Sequence, residues 1–119
     1  MKKILIVEDD KKIAKALHVR FTAHGYAVAT TFDAVMAATT ARSYSPDLIL
    51  LDIALPGGDG FVLAERFQDI QNTAGVPFVF ITASKKQGLR ERAMGVGASG
   101  FFEKPFDSGQ LMGVVNQLI

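Results

Sequence analysis

The feature that most constrains the fold is a regular alternation between short apolar runs and stretches with helical periodicity. The apolar runs are rich in β-branched or aromatic residues and are predicted to be buried strands; they lie at residues 4–7, 26–31, 48–51, 78–81 and around 101–102. A helical stretch follows each run. Five successive β-α units need right-handed crossovers, so we predict a parallel sheet covered by helices on both faces.

The helices are marked by apolar spacing and by end signals. The first carries Ile13, Leu17 and Phe21 on one face and stops at Gly25. Asp33 is placed to cap the second, which runs to about residue 42. The third and fourth are predicted over residues 61–70 and 86–96, and residues 56–60 form a loop by composition. The last helix has an apolar face and opens on a capping-box pattern, with Leu111, Val114, Val115 and Leu118 on the face and Asp107 and Gln110 at the start.

Composition excludes several classes of protein. With 119 residues, 49% of them hydrophobic, the chain suits one domain with a sizeable core. The net charge of +1 argues against direct nucleic-acid binding, and no apolar run is long enough for a signal peptide or a membrane span. The absence of cysteine excludes disulfides and thiolate metal sites and is compatible with the cytoplasm. We therefore expect one cytoplasmic domain over residues 1–119, with no membrane contact.

Residues suited to chemistry follow four of the predicted strands. Because the carboxyl ends of parallel strands share one edge of the sheet, these residues are expected to lie together. They are Glu8, Asp9 and Asp10 after the first strand, Asp52 after the third, Thr82 after the fourth and Lys104 after the fifth. Each also has a structural interpretation: Asp10 is as well explained as a helix cap, and the others as caps, turn formers or a surface turn.

Taken together, these residues fit phosphoryl transfer to a carboxylate. Asp52 can accept a phosphoryl group as an acyl phosphate, a reaction in which the protein mainly positions groups and neutralises charge. Glu8, Asp9 and Asp52 would repel one another, and Mg2+, which prefers carboxylate oxygens, relieves that repulsion. Lys104 offers an ammonium and Thr82 a hydroxyl to the phosphoryl oxygens, while small Ala83 leaves room.

Four segments resemble the receiver domain of bacterial two-component response regulators. They are ILIVEDD at residues 4–10, DLILLDIALPGGDG at 47–60, FVFITAS at 78–84 and GASGFFEKPF at 97–106. They occur in the family's order with similar spacing, and the resemblance covers essentially the whole chain. It implies a flavodoxin-like (βα)5 three-layer sandwich with a parallel five-stranded sheet of order 2-1-3-4-5.

The resemblance also implies roles for single residues. Asp52 falls on the phosphoacceptor position, and Thr82 and Lys104 fall on the phosphate-contacting hydroxyl and lysine. Mg2+, with Mn2+ as a substitute, would be bound by Glu8 through water, by Asp9 and Asp52 directly, and by the backbone carbonyl of Ala54. The bond from Lys104 to Pro105 is expected to be cis.

A switch is implied as well. On phosphorylation Thr82 would move to the phosphate, and Phe101, at the position of the switch aromatic, would turn inward. The alternative for Phe101 is an ordinary core aromatic. Gly58 stands where the family often has an apolar residue that pins the loop, and Ala54 gives no polar side chain for tuning dephosphorylation. Helix 4 lacks the charge pattern of regulators that dimerise through it, so a phosphorylation-dependent dimer is only a hypothesis.

Three other functions are less consistent with the residues. A haloacid dehalogenase phosphatase needs a second Asp two residues after the first, where this chain has Ala54. A flavodoxin needs a phosphate-binding loop rich in Ser, Thr and Gly after strand one, where this chain is acidic. A phosphorylation-independent pseudo-receiver normally lacks one of the key residues, and all of them are present here.

The expected role is that of a signalling phosphoacceptor rather than an enzyme with a separate substrate, since it would catalyse only its own phosphorylation and dephosphorylation. The phosphodonor would be a sensor histidine kinase, a phosphotransfer protein or a small phosphodonor. The output would be an effector domain or target protein outside this chain. Because the last helix ends abruptly without a cap, we expect a receiver cut from a longer protein.

Overall fold

The computed structural model describes residues 1–119 and contains seven strands. They are β1 (Lys3–Val7), β2 (Ala27–Thr31), β3 (Leu48–Asp52), β4 (Ala54–Leu55), β5 (Gly58–Asp59), β6 (Phe78–Thr82) and β7 (Gly100–Glu103). Five of them form a parallel sheet in the order β2-β1-β3-β6-β7. Numbered within that sheet alone, the order is 2-1-3-4-5, which confirms the prediction.

Five helices cover the sheet in two layers. They are α1 (Lys11–Ala23), α2 (Ala34–Tyr44), α3 (Gly60–Gln68), α4 (Leu89–Gly95) and α5 (Ser108–Leu118). Buried residues of α1 and α5 belong to one core cluster, and those of α2, α3 and α4 to another. The fold is therefore a three-layer sandwich of the flavodoxin-like class. None of the helices has the length and apolar character that a membrane-spanning segment requires.

The strands are apolar on both faces because each face meets a helical layer. In β1, Ile4 and Ile6 pack toward α1 and α5, while Leu5 and Val7 pack toward α2 to α4. The same alternation holds in β3 and β6. This two-residue period explains why the strands appear in the sequence as continuous apolar runs.

Aspartates cap four of the five helices. Asp10 accepts hydrogen bonds from the amides of Lys12 and Ile13, so Asp10 is the cap of α1. Asp33, Asp59 and Asp107 cap α2, α3 and α5 in the same manner. The structure thus separates Asp10, which fixes the start of a helix, from its two acidic neighbours.

Two segments differ from the sequence prediction. Helix α4 begins at Leu89 instead of residue 86, because Gly88 has a positive φ of 86° and the Lys86 amide bonds to the Ser84 hydroxyl oxygen. Residues 56–60, predicted to be a loop, contain strand β5 and the turn that joins it to β4. That turn is Pro56-Gly57, and Gly57 has a φ of 79°. A Pro followed by a Gly with positive φ is typical of a type II turn.

Candidate functional site

The register of the sheet brings the candidate residues to one edge. Asp52, the last residue of β3, lies opposite Ile81, so Thr82 extends one position beyond it. Thr82 in turn lies opposite Glu103, and the amide of Lys104 donates to the Thr82 carbonyl at 2.8 Å. Asp52, Thr82 and Lys104 therefore lie side by side at the carboxyl ends of the adjacent strands β3, β6 and β7, as the topology argument predicted.

Three carboxylates form a cluster at this edge. One oxygen from each of Glu8, Asp9 and Asp52 lies within 4.8 Å of the other two. Glu8 is fully buried and Asp52 is 4% exposed, whereas Asp9 faces solvent. Such close negative charges need a counter-charge, because burial removes the water that would otherwise separate them.

Lys104 supplies part of that counter-charge. Its Nζ donates to Asp52 Oδ2 at 2.9 Å and lies 2.6 Å from Glu8 Oε1. Burial alone would lower the pKa of Lys104, but its contacts with the carboxylates of Glu8 and Asp52 outweigh burial and raise that pKa. The ammonium therefore stays charged. The Lys104-Pro105 peptide bond is cis, as the family resemblance implied.

Burial of Glu8 changes how readily this carboxyl group ionises. Burial raises the pKa of Glu8 to about 7, and the negative charge of Asp52 adds to that rise. The contact with Lys104 and a hydrogen bond from the Asp10 amide to Glu8 Oε2 at 3.0 Å act in the opposite direction. The balance of these effects leaves the pKa of Glu8 well above that of a solvent-exposed glutamate.

The donor set fits a hard divalent cation. Glu8 Oε1 is fully buried, and the Lys104 ammonium lies 2.6 Å from it. Asp9 and Ala54 line one cleft of about 550 Å³ beside the cluster. Three clustered carboxylates, more negative charge than one lysine neutralises, and an adjoining open cleft are compatible with Mg2+, which takes oxygen ligands and keeps several waters.

Thr82 is buried and its hydroxyl is engaged within its own loop. Thr82 Oγ1 accepts a hydrogen bond from the Ser84 amide at 3.0 Å. This leaves the hydroxyl proton free to be donated to another oxygen. Ala83, directly after it, is exposed and lines a second cleft together with Lys104 and Pro105.

Phe101 lies apart from the carboxylates, in the core between the sheet and α2 to α4. The residue is 6% exposed, and its position in β7 is opposite Phe80. The guanidinium carbon of Arg90 lies 5.0 Å from the centre of its ring. The ring is therefore already buried in this structure, in a layer different from that of the acidic cluster.

The loop after Asp52 is held mainly by backbone contacts. The Ala54 amide donates to Asp52 Oδ1 at 3.2 Å, and the Ala34 amide donates to the Pro56 carbonyl at 3.1 Å. At Gly58, a Cβ would lie 3.1 Å from the Ala34 Cβ, so the missing side chain permits close packing against α2. Strand pairing and these contacts order a loop that lacks the apolar residue usual at Gly58.

Sequence analysis missed the importance of Gly60. A Cβ at this position would lie 2.3 Å from the Asp52 carbonyl oxygen and 2.7 Å from the Ile53 Cα. The Gly60 amide also donates to the Ile53 carbonyl at 2.7 Å. Only glycine allows α3 to start this close to the end of β3. The sequence offered no signal beyond a glycine-rich loop.

Comparison with known proteins agrees with this geometry. The family model of the response regulator receiver domain matches residues 4–116. Response regulator PleD of Caulobacter vibrioides is 37% identical over 116 residues, which cover 98% of this chain and 26% of PleD. The chain spans between 18% and 56% of the length of this and other curated relatives that it matches.

Solved receiver domains have the same fold. The non-phosphorylated HemR receiver domain of Leptospira biflexa is 31% identical with a TM-score of 0.89, over 99% of this chain and 94% of that one. The receiver domain of the Pseudomonas aeruginosa sensor histidine kinase PA1611 is 28% identical with a TM-score of 0.87, over 98% and 96% of the two chains. With the matched family model, the sheet order and the acidic cluster beside a lysine, this chain belongs to the response regulator receiver domains of two-component signalling systems.

Proposed function

We propose that this domain accepts a phosphoryl group on Asp52 in the presence of Mg2+ and passes the event to a partner as a change of surface. One observation carries the proposal: the Lys104 ammonium lies 2.9 Å from Asp52 and 2.6 Å from Glu8, within a cluster of three carboxylates. A lysine bound in this way neutralises charge at the acceptor and is ready to pair with phosphoryl oxygens.

The transfer step requires little beyond positioning. A lone pair of an Asp52 carboxylate oxygen attacks phosphorus and forms a P–O bond. The P–N bond of a phosphohistidine, or the P–O bond of a small acyl phosphate, breaks and its electron pair leaves with the donor. A leaving imidazole nitrogen then takes a proton from solvent. The Asp52 side chain is held for this step by the Ala54 amide and by Lys104.

The metal would be held by the acidic cluster. Asp9 and Asp52 would bind directly, Glu8 through water, and the Ala54 carbonyl would complete the protein ligands, with Mn2+ as a substitute. When bound, Mg2+ would neutralise negative charge between these carboxylates and the phosphoryl oxygens. The solved PA1611 receiver domain has a magnesium ion coordinated in its active-site cleft, which supports this assignment.

The output would come from Thr82 and Phe101. The Thr82 hydroxyl now accepts from Ser84 and would turn to donate to a phosphoryl oxygen. Phe101, whose ring is already buried, would respond on the opposite face of the sheet by a shift of that ring. Phosphorylation can favour the switched state only through contacts that differ between the two states. In the cytoplasm, the donor would be a sensor histidine kinase, a phosphotransfer protein or a small phosphodonor, and the signal would pass to an effector domain or target protein.

The first experiment is the intact mass of the protein after treatment with acetyl phosphate, with and without Mg2+. Wild-type protein should gain one phosphoryl group only when Mg2+ is present, and Asp52→Asn should gain none. Asp33→Asn is the matched control, because it makes the same chemical change at a helix cap where Asn serves as well as Asp. It should be modified like the wild type.

A wild-type adduct that survives in Asp52→Asn would refute the assignment of the acceptor. No adduct on folded wild-type protein would leave a pseudo-receiver or rapid hydrolysis, and beryllofluoride binding separates these, since a pseudo-receiver would not bind it. In a third variant, Lys104→Ala, the beryllofluoride-induced change in the NMR spectrum should be lost. Sedimentation with and without beryllofluoride tests the dimer hypothesis, which identical profiles would contradict.

A further inference from the structure

Two arginines of α4 contact aromatic rings instead of carboxylates. The guanidinium carbon of Arg90 lies 5.0 Å from the ring centre of Phe101, and that of Arg92 lies 4.0 Å from the ring centre of Phe61. Neither arginine has a carboxylate within 4.0 Å, since the ion pairs of the chain are formed by two lysines. These geometries are those of cation–π contacts.

Helix α4 has few other features that fix its position. It has only seven residues, and its first turn is preceded by Gly88 with no side-chain cap. Ala93 is its only fully buried residue. A helix this short is not stable by itself and depends on its tertiary contacts. Leu89, at the start of α4, also packs against the core, and the two arginine–aromatic contacts add to what holds α4 on the domain.

The Phe101 ring lies at the junction between α4 and the sheet. It is buried in the core although the Thr82 hydroxyl is still bonded to the Ser84 amide, within its own loop. Burial of the ring thus does not require the Thr82 contact to phosphate. Arg90, an exposed residue on the solvent side, covers the ring face.

We propose that Arg90 is a positioning residue that holds the Phe101 ring buried before phosphorylation. This inference rests on the proposed function, because it concerns the state from which the switch starts. The guanidinium favours the orientation in which the ring presents its negative face, and it offers nothing to a ring that has turned to solvent. Arg90 therefore biases the equilibrium toward the buried ring and couples ring position to the position of α4.

The test uses a fluorinated phenylalanine incorporated at position 101 and followed by fluorine NMR. Exposure of the ring is read from the change in chemical shift between light and heavy water. In Arg90→Gln the ratio of buried to exposed ring should fall about two- to five-fold, the size of an exposed cation–π contact. Arg90→Lys should lower the ratio of buried to exposed ring by less than Arg90→Gln does, because it keeps a cation at the same position.

Arg92→Gln is the matched control on the same helix. Its guanidinium lies over Phe61, so its loss should leave the exposure of Phe101 unchanged. Equal effects of Arg90→Gln and Arg92→Gln would show only general loosening of α4 and would overturn the proposal. An unchanged fluorine spectrum in Arg90→Gln would overturn it as well.

A second measurement distinguishes cation–π attraction from simple packing. Mono-, di- and trifluorophenylalanine at position 101 withdraw ring electrons stepwise with little change in shape. The factor by which Arg90→Gln changes the unfolding equilibrium constant should fall toward one along that series. A factor that stays constant would mean that Arg90 acts by packing alone and would refute the mechanism.

These measurements are made without phosphodonor, so they do not depend on phosphorylation. Beryllofluoride binding with Mg2+ is tested in parallel on wild-type and Arg90→Gln protein. If beryllofluoride binds while Arg90→Gln leaves Phe101 unchanged, the positioning role fails and the proposed function stands. If beryllofluoride does not bind although Arg90 and Phe101 are coupled, the proposed function fails and the coupling stands.

Discussion

Replacing Gly60 with alanine should destabilise the domain and disturb Asp52 at the same time. The new Cβ would lie 2.3 Å from the Asp52 carbonyl oxygen, 3.1 Å from its carbonyl carbon and 2.7 Å from the Ile53 Cα. All three are backbone atoms and cannot move aside as a flexible side chain would. The start of α3 must therefore shift relative to the end of β3.

The cost can be estimated from two effects. Overpacking in a well-packed region typically costs about 1–3 kcal/mol. The shift also weakens the hydrogen bond from the Gly60 amide to the Ile53 carbonyl, now 2.7 Å long, which contributes about 1 kcal/mol. Together they predict a loss of roughly 3 kcal/mol in the free energy of unfolding, a large part of the stability of a small domain.

The assay is urea unfolding followed by far-ultraviolet circular dichroism, since the chain has no tryptophan to serve as a fluorescence probe. Gly113→Ala in α5 is the matched control, because nothing lies within 4 Å of its added Cβ. It should stabilise the domain by about 0.5–1 kcal/mol through better helix propensity. Gly60→Ala with wild-type stability would refute the steric reasoning. A folded Gly60→Ala protein should also be phosphorylated more slowly than wild type.

Three further predictions concern stability. In metal-free buffer the free energy of unfolding should fall by about 1–2 kcal/mol as pH rises from 4.5 toward 7, because the folded state holds a proton on Glu8, whose pKa burial raises to about 7, after the unfolded state has lost it. Glu8→Gln should flatten that slope, and a slope unchanged in the variant would assign it to other groups. Thr73→Val should cost about 1 kcal/mol, because the buried Thr73 hydroxyl donates to the Phe67 carbonyl at 2.6 Å; thermal unfolding within error of the wild type would contradict this. Asp107→Ala should cost about 1 kcal/mol by removing the cap of α5, whereas Asp107→Asn should retain most of the stability.

Much of the fold could be predicted because strand and helix signals are local and repeated. Because both faces of the sheet are buried, its strands appear in the sequence as continuous apolar runs. The predicted sheet order is confirmed. The start of α4 was wrong by three residues. Helix propensity extends it back to residue 86, but the Ser84 hydroxyl and the positive φ of Gly88 keep residues 86–88 out of the helix. A side chain competing for the backbone is difficult to weigh from sequence alone.

The candidate site could be predicted only in part. The strand-end rule brought Glu8, Asp52 and Lys104 together, and the structure places them in contact. It could not assign the three consecutive acids after β1, since a cap and a ligand are the same residue type. The roles of Gly60 and Arg90 depend on distances between elements that are remote in sequence, and no local pattern encodes such distances.

The alternation of side chains along the strands divides the site residues into two groups. Glu8, Asp52 and Lys104 have the same phase as Ile6, Leu50 and Phe102, which pack toward α1 and α5. Thr82 and Phe101 have the opposite phase, that of Phe80, which packs toward α2 to α4. Because a strand has a period of two, a slip of one residue would exchange these faces.

This division gives a physical reason for a switch in this fold. Glu8, Asp52 and Lys104, which surround the proposed acceptor, have one phase, and Thr82 and Phe101 have the other. Ile81 lies opposite Asp52 on the neighbouring strand. Thr82 is the next residue and has the opposite phase, so it is the residue of the second group that lies beside Asp52. In the proposed function, a change at Asp52 would therefore reach the helical layer on the other side of the sheet through the Thr82 hydroxyl. The contact of Arg90 with Phe101 lies in that layer, where, on our proposal, it would set how readily Phe101 responds.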